Sequence, residues 1–474
     1  MMPTTTGFSH AHRNLNSNSK GDETSGALVM AADYRALGVA RSLGRRGIPA
    51  WILKQGGHLV ASFSRYVQRN ISWPAADDRT EISLLLELAT KYKLQNWLLF
   101  PTDDHAVALI SRHHKVLSRA FKVTVPPWEH LRFACDKRVL HETARKLGIR
   151  QPWTAWPRTR GEISVLDCPF PVILKPATRF RPNTLAIPKA WRADDQLSLL
   201  TRYDEASAVV GGNNLIVQEI LPSGGETQFS YGALCRDGFV LASVMARENR
   251  QYPMDFGQFS TYVETVDEPQ VAESSERLLA ATRFTGLIEL EFKKDPRDGS
   301  FKILDINPRV WGWHTLARRV GVDFPYLLWL LIEGQDVPRL RGRSGARWFH
   351  RSGDIPAAMQ QIASGRLSLR DYVRSLKGPA ESALFAWDDP LPGWLDVPLL
   401  GGAIVKRFLA PRLSIPRIRS GEKHPSDHPV HDVESFGAAS SASLDNVDGS
   451  RPPSKYVPPQ LGAAASSDDI VDPG

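Results

Sequence analysis

Two hydrophobic rhythms trade places along the chain. "ALVMAA" is a short apolar run, and the "YRALGVARSLGRRG" after it repeats Leu37, Ala40 and Leu43 at helical spacing, with Gly47 where a helix C-cap glycine belongs. The apolar runs "IPAWIL", "RYVQRNIS", "WLLFP" and "FKVTVP" then alternate with the helical patterns "RTEISLLLELATKYK" and "HAVALISRHHKVLS". Strands alternating with helices predict a doubly wound parallel sheet over residues 26–126, an α/β domain. Such sheets bind ligands beyond the C-terminal ends of their strands. Asp103 and Asp104 hold such a position after "WLLFP". An N-cap with an acid in the first helical turn is the simpler explanation of both. The turn after "ALVMAA" is "DYRALG" and lacks the close-packed glycines that let backbone approach a pyrophosphate, which argues against a nicotinamide dinucleotide.

From residue 127 the rhythm changes. "DKRVLHETARKLG" reads as a helix with Asp136 as N-cap and Gly148 as C-cap. "FPVILKPA", "LIVQEILP" and "TQFSYGALCRDGFVLASVMARENR" are β-rich, with "RDG" marking a hairpin. A long helix, "EPQVAESSERLLAATRF", precedes "GLIELEFKKDPRDGSFKILDINPRVWG". The expected α+β organisation is a first lobe or lid over 127–222, a second lobe over 223–334 and a helical appendage over 335–410. Polar, low-complexity composition predicts a disordered leader over 1–25 and a disordered tail over 411–474.

The "DPRDGS" turn lies between two apolar runs that nevertheless contain Glu289, Glu291, Asp305 and Asn307. Burying carboxylates without partners is costly. A hairpin centred near Asp298 pairs residues whose numbers sum to about 596, which sets Glu291 opposite Asp305 and Glu289 opposite Asn307. Residues i and i+2 of a strand share a face, so all four project to one side, while Leu290, Phe292, Leu304 and Ile306 fill a core on the other. Three acids and an amide on one face call for a cation. Oxygen-only ligands favour Mg²⁺ or Mn²⁺ over zinc. A solvent-facing acidic hairpin with Lys293, Lys294 and Arg309 as ion-pair partners is the competing explanation.

Upstream, Lys175 ends the apolar "FPVILKPA" strand and Lys137 occupies a first helical turn, where a cation opposes the dipole. "LIVQEILPSGGE" runs into a Gly-rich turn flanked by Glu219 and Glu226. This series suits phosphates, adenine and a divalent ion in turn.

Composition narrows the classes. With 474 residues the chain exceeds one compact core. No apolar window of about 20 residues occurs, and the N-terminus lacks a hydrophobic signal core. The three cysteines are scattered and form no CxxC pair, which fits a reducing cytoplasm. The net charge is +8, yet residues 424–474 hold seven Asp and one Glu against one Arg and one Lys, about −6, leaving about +14 elsewhere. Nucleic acid, a membrane surface and a phosphate-rich ligand all suit such a charge. No basic stripe with interleaved aromatics appears, and no DNA-binding signature. The tryptophans in 335–400 suit a homodimer interface.

The order "E-F-K…LDINPR", the "VILKP" lysine, the "VQEIL" segment and "MARENRQYPMDFGQFSTYVET" resemble the ATP-grasp superfamily, in its carboxylate–amine ligase branch of D-aspartate ligase-like proteins. The likeness runs from about Ala27 to Val337. It implies ATP and Mg²⁺ as cofactors and a small carboxylate and an amine as substrates, joined through an acylphosphate. Glu291, Asp305 and Asn307 would hold the metal, and Lys137 and Lys175 the α- and β-phosphates. Residues Gln218, Glu219, Ile220 and Leu221 would hold adenine, chiefly through backbone, and Glu226 the ribose. Arg309 would face the transferred phosphate, with Arg247 a second candidate for phosphate or substrate carboxylate. Asp305 replaces the usual glutamate. The segment after Lys175 lacks the usual glycines, so Arg179, Arg181 and Lys189 would grip phosphate by charge. Trp311, Trp313 and His314 stand where small residues are usual and would line an acceptor pocket or belong to the core. A small-molecule kinase, or an ATP-binding module without turnover, shares these residues.

Overall fold

The structure is a computed structural model that describes residues 25–396, apart from 56–58, 75, 179–189, 223–224 and 254–258. All of these belong to one compact unit running to Ser414. The expected leader up to residue 24, the expected tail, and Arg179, Arg181 and Lys189 lie outside the described residues.

Strands β1 (Ala27–Met30), β2 (Ala50–Lys54), β3 (Val67–Ser72), β4 (Leu98–Pro101) and β5 (Lys122–Val123) form a sheet in the order β3-β2-β1-β4-β5. Every neighbouring pair is parallel. The intervening helices are α1 (Tyr34–Gly44), α2 (Asp78–Tyr92), α3 (Asp104–Arg112) and α4 (His114–Leu117). Asp33 caps α1 by accepting from the Arg35 and Ala36 amides, and Asp103 caps α3 by accepting from the Ala106 amide at 2.8 Å. Both caps sit at strand C-terminal ends beside the point where the strand order reverses, the usual ligand-facing edge of such a sheet.

Helices α5 (Trp128–Cys135) and α6 (Lys137–Lys146) lead into an antiparallel sheet. Its members are β6 (Thr154–Ala155), β7 (Val172–Pro176), β8 (Trp191–Ala193) and β9 (Leu215–Glu219), with α7 (Arg160–Ser164) and α8 (Gln196–Val210) in the connections. The order is β6-β9-β7-β8. Val172, Leu174, Leu215 and Val217 face a core with Leu199 and Tyr203 of α8. The register pairs Ile173 with Gln218 and Lys175 with Ile216, so these four share the opposite face.

The large sheet contains β10 (Gln228–Arg236), β11 (Phe239–Tyr252), β12 (Phe259–Thr265) and, after α9 (Pro269–Thr282), β13 (Gly286–Lys294) and β14 (Phe301–Asn307). Helices α10 (His314–Arg319) and α11 (Phe324–Ile332) follow. Then come β15 (Leu340–Arg341), β16 (Arg347–Phe349), α12 (Arg351–Ala363), α13 (Leu369–Ser375) and β17 (Ala380–Ser382). The order is β14-β13-β10-β11-β12-β16-β17, with β15 beside β11. The stretch after residue 334 is therefore more than a helical appendage, because it completes one edge of this sheet. Strands of two or three residues are too short to carry a period, which hides them in the sequence.

The "RDG" turn joins β10 to β11 with Asp237 at φ +49° and Gly238 at φ +82°, the double positive-φ geometry of a tight hairpin. Gly232, in mid-β10, is needed for a different reason: a Cβ there would lie 2.1 Å from the Trp311 ring. Trp311, Trp313 and Phe324 fill the space between this sheet and the α1 side of the first domain.

Candidate functional site

The site begins with the β13–β14 hairpin. Glu289 pairs with Asn307 and Glu291 with Asp305, the register expected from the turn. Beyond them Phe292 pairs with Ile303, so Leu304 is the extra residue of a β-bulge. The correction to the sequence reading is local: Ile303, not Leu304, fills the core beside Phe292 and Ile306, while Leu304 stays half-buried. The bulge also lets Lys302 share a face with Asp305 and Asn307.

On that face the Asn307 amide donates to Glu289 at 2.9 Å and Glu291 at 2.7 Å, and Gln228 donates to Glu291 at 3.2 Å. Burial pushes the Glu289 carboxyl well above its usual range; the charges of Glu248 and Glu291 add to this, and the Asn307 amide opposes it. Glu248 accepts from the Ser230 and Ser260 hydroxyls.

Cations meet these acids from elsewhere in the chain. Asp136 caps α6 by accepting from the Arg138 amide at 3.0 Å, and the Lys137 amide donates to the Ala177 carbonyl at 3.1 Å. The helix start is thereby fixed just past β7, and the Lys137 ammonium donates to Asp305. Arg309 donates to the Asn307 amide oxygen at 3.1 Å and to Asp104 at 2.6 Å. Asp103 is thus a cap, whereas Asp104 reaches the site. Burial alone would raise the Asp104 carboxyl, but Arg309 outweighs it and the net shift is downward.

Lys175 is half-buried on β7, on the face it shares with Ile173, Ile216 and Gln218. Beneath that face lies His141 of α6, missed in the sequence. It contacts Gln151 at 2.6 Å and Gln218 at 3.4 Å, and Gln218 also donates to Thr154 at 3.0 Å. Burial, reinforced by the Lys175 charge, pushes the His141 imidazole down to about 4. A histidine in "KRVLHET" gives no sign of this on its own.

Glu219 is buried and turned toward the hairpin, where it pairs with Arg297 at 2.8 Å and Lys302 at 3.2 Å. Ile220 donates from its amide to the Pro171 carbonyl at 3.0 Å, and the Leu221 carbonyl accepts from Lys293 at 3.2 Å. Glu226 is exposed in the turn before β10.

Arg247 is not brought to this cluster. It pairs across the strands with Phe229 and Glu264, on the sheet face opposite Glu289 and Glu291, and its guanidinium donates to Glu264 at 3.3 Å. Trp311, Trp313 and His314 are core residues, each at most 2% exposed.

The donor set is oxygen only. Among the described residues no three His, Cys, Asp or Glu side chains form a ready-made metal cage. Two carboxylates and an amide do fit Mg²⁺, which keeps most of its shell for water and phosphate. No helix among the described residues is long and apolar enough to cross a membrane.

Comparison with known proteins bears on the fold. Residues 213–363 match the family model described as ATP-grasp in the biosynthetic pathway with Ter operon. The biotin carboxylase domain of 2-oxoglutarate carboxylase from Hydrogenobacter thermophilus, solved with MgADP, ADP and bicarbonate, is similar at TM-score 0.54 and 14% identity, over 68% of this chain and 73% of that one. The chain has the ATP-grasp fold. A further likeness is to N5-carboxyaminoimidazole ribonucleotide synthetase in its ADP complex, at TM-score 0.52 and 10% identity, over 68% of this chain and 80% of that one. Biotin carboxylase from Campylobacter jejuni is similar at TM-score 0.51 and 14% identity, over 66% and 72%. No curated protein matches the chain by sequence. The sheet β6–β9 falls in the segment expected as the first lobe or lid, and β10–β14 in that expected as the second lobe.

Proposed function

We propose that the chain is an ATP- and Mg²⁺-dependent carboxylate–amine ligase. The observation that carries this reading is the meeting of Lys137, Glu291, Asp305, Asn307 and Arg309, drawn from segments far apart in sequence, at one end of the hairpin face. Glu291, Asp305 and Asn307 would hold Mg²⁺, which when bound supplies charge neutralisation between phosphate oxygens. The Asn307 amide would turn its oxygen from Arg309 toward the acids. Lys137 would exchange Asp305 for phosphate, and Lys175 would neutralise charge from the lid side. Arg309, held by Asp104, would face the transferred phosphoryl group. Ile173 of β7 and Leu304 of β14, both half-buried apolar side chains, would flank the base, beside backbone of Gln218 to Leu221. Glu226 would reach the ribose.

A carboxylate is a poor acyl donor because its oxygen leaves badly. Phosphoryl transfer to it gives an acylphosphate that an amine attacks, releasing phosphate. That sequence needs positioning and charge neutralisation rather than a protein nucleophile, and a lid that excludes water. The test is an ADP-release screen of the full chain against pairs of amino acids and small carboxylic acids. We expect ADP and phosphate in equal amounts, requiring both an acid and an amine. Glu291→Ala and Asn307→Ala should abolish turnover while circular dichroism stays native. Near-normal turnover in either variant removes the metal assignment; phosphate retained on a single substrate replaces the ligase with a kinase.

A further inference from the structure

The proposed chemistry makes no use of four charged side chains, Glu219, Asp295, Arg297 and Lys302. They form a closed, neutral network. The Glu219 carboxylate accepts from the Trp153 amide at 2.9 Å, Arg297 at 2.8 Å and Lys302 at 3.2 Å. Asp295 accepts from Arg297 Nε at 2.9 Å and the Arg297 amide at 3.0 Å, and pairs with Lys302 at 2.8 Å. Asp295 is 1% exposed and Glu219 7%, so the two acids are withdrawn from water while Arg297 covers them from the solvent side. Hydrogen bonds from Arg297 and Lys302 hold the Asp295 carboxyl far below its usual range. Burial alone would raise Glu219, but Arg297, the Trp153 amide and Lys302 bring it below its usual range.

The network's location gives it meaning. The chain enters the lid near residues 150–153 and leaves it at 219–221. At the entry the Arg150 carbonyl accepts from the Ile303 amide at 2.9 Å, and Arg150 pairs with Asp298 at 3.3 Å. Trp153 and Glu219 are also joined main chain to main chain at 3.0 Å. At the exit Lys293 holds the Leu221 carbonyl. Both crossings are therefore fastened to the hairpin that carries Glu291, Asp305 and Asn307.

We infer that Arg297 and Lys302 are positioning residues for the base of the bound nucleotide: by fixing Glu219 they set the 218–221 backbone at a constant distance from the metal end of the hairpin. Three donors already hold the Glu219 carboxylate, two on Oε1 and one on Oε2, so its side chain is oriented toward the hairpin and recognition of the base edge is assigned to the 218–221 backbone. This inference rests on the nucleotide reading above.

The experiment is calorimetric titration of the full chain with Mg·ATP, Mg·GTP and Mg·tripolyphosphate, the last probing the metal and phosphate half alone. Wild type is compared with Arg297→Ala, Arg297→Lys and Lys302→Met. Arg297 is half-exposed on a turn, so its truncation should leave the fold intact. We expect Arg297→Ala and Lys302→Met to lose about tenfold in ATP affinity, the cost of one charged hydrogen bond. The ATP-to-GTP preference should narrow, tripolyphosphate binding should be unchanged, and Arg297→Lys should recover part of the loss. Equal losses for ATP and tripolyphosphate, or no loss at all, overturn the inference. Wild-type protein that binds none of the three overturns the nucleotide reading, and this inference with it.

Discussion

At the scale of single residues, close approach sets the tolerances of this fold. Gly232 lies under Trp311, and an added methyl has no room because the indole is itself 1% exposed. Gly232→Ala should therefore destabilise by about 1–3 kcal/mol through overpacking, read as a lowered denaturation midpoint. A shift below about 0.5 kcal/mol would show that Trp311 can move aside. The same scale shows what a sequence conveys and what it withholds. Glu289, Glu291, Asp305 and Asn307 could be placed on one face because an Asp-Gly turn fixes a hairpin centre and polar residues stand out in apolar runs. The bulge at Leu304 could not be seen, since Ile303, Leu304 and Ile306 are equally apolar and nothing marks the extra one. Arg297 and Lys302 look like ordinary surface cations until Glu219, some eighty positions away, is brought against them.

Among the elements, α6 and α10 each bury a histidine. Burial pushes His141 and His314 down to about 4, from an ordinary value of 6.5. His314 contacts the Trp311 carbonyl through Nδ1 at 2.8 Å, and its Nε2 has no partner among the described residues. In both cases the folded pKa is the lower one, so the unfolded chain binds more protons between about 4 and 6.5. The stability these residues contribute is complete above 6.5 and is lost as pH falls toward 4. Between pH 7 and pH 5 each should account for about 2 kcal/mol. Glu289, whose carboxyl is raised, works in the opposite direction. The informative measurement is therefore a difference: the urea midpoint of His141→Gln should depend less on pH than that of wild type. Parallel curves would show that His141 is solvated. The helices of the first domain, α6 and α9 were legible because their periods repeat; α8 went unread, and β15 to β17 exist through pairing with β11, β12 and one another rather than through any pattern of their own.

Over the whole molecule, the segment after β17 fastens the first domain to the large sheet. The Asp389 carboxylate accepts from Arg41 at 2.9 Å, Ser64 at 2.6 Å and the Arg65 amide at 3.0 Å. Arg41 is 5% exposed and also donates to the Leu384 and Asp389 carbonyls. Asp389→Ala would strand a buried guanidinium, and about 3–5 kcal/mol of stability should go with it. A thermal midpoint within a degree or two of wild type would mean that water reaches Arg41. The alternation of strands and helices made the parallel sheet readable, and the Asp-Gly turns made the β10–β11 and β13–β14 hairpins readable. This long-range attachment was not, because Arg41 and Asp389 are 348 positions apart. The closing edge of the large sheet carries a consequence for how the protein is made. β12 leaves the ribosome well before residues 347–349, which later pair with it, and residues 380–382, which pair with those in turn. A nascent or prematurely terminated chain ending near residue 340 would present a bare strand to its neighbours, so the burden of avoiding aggregation falls on the interval in which residues 341–382 are being synthesised.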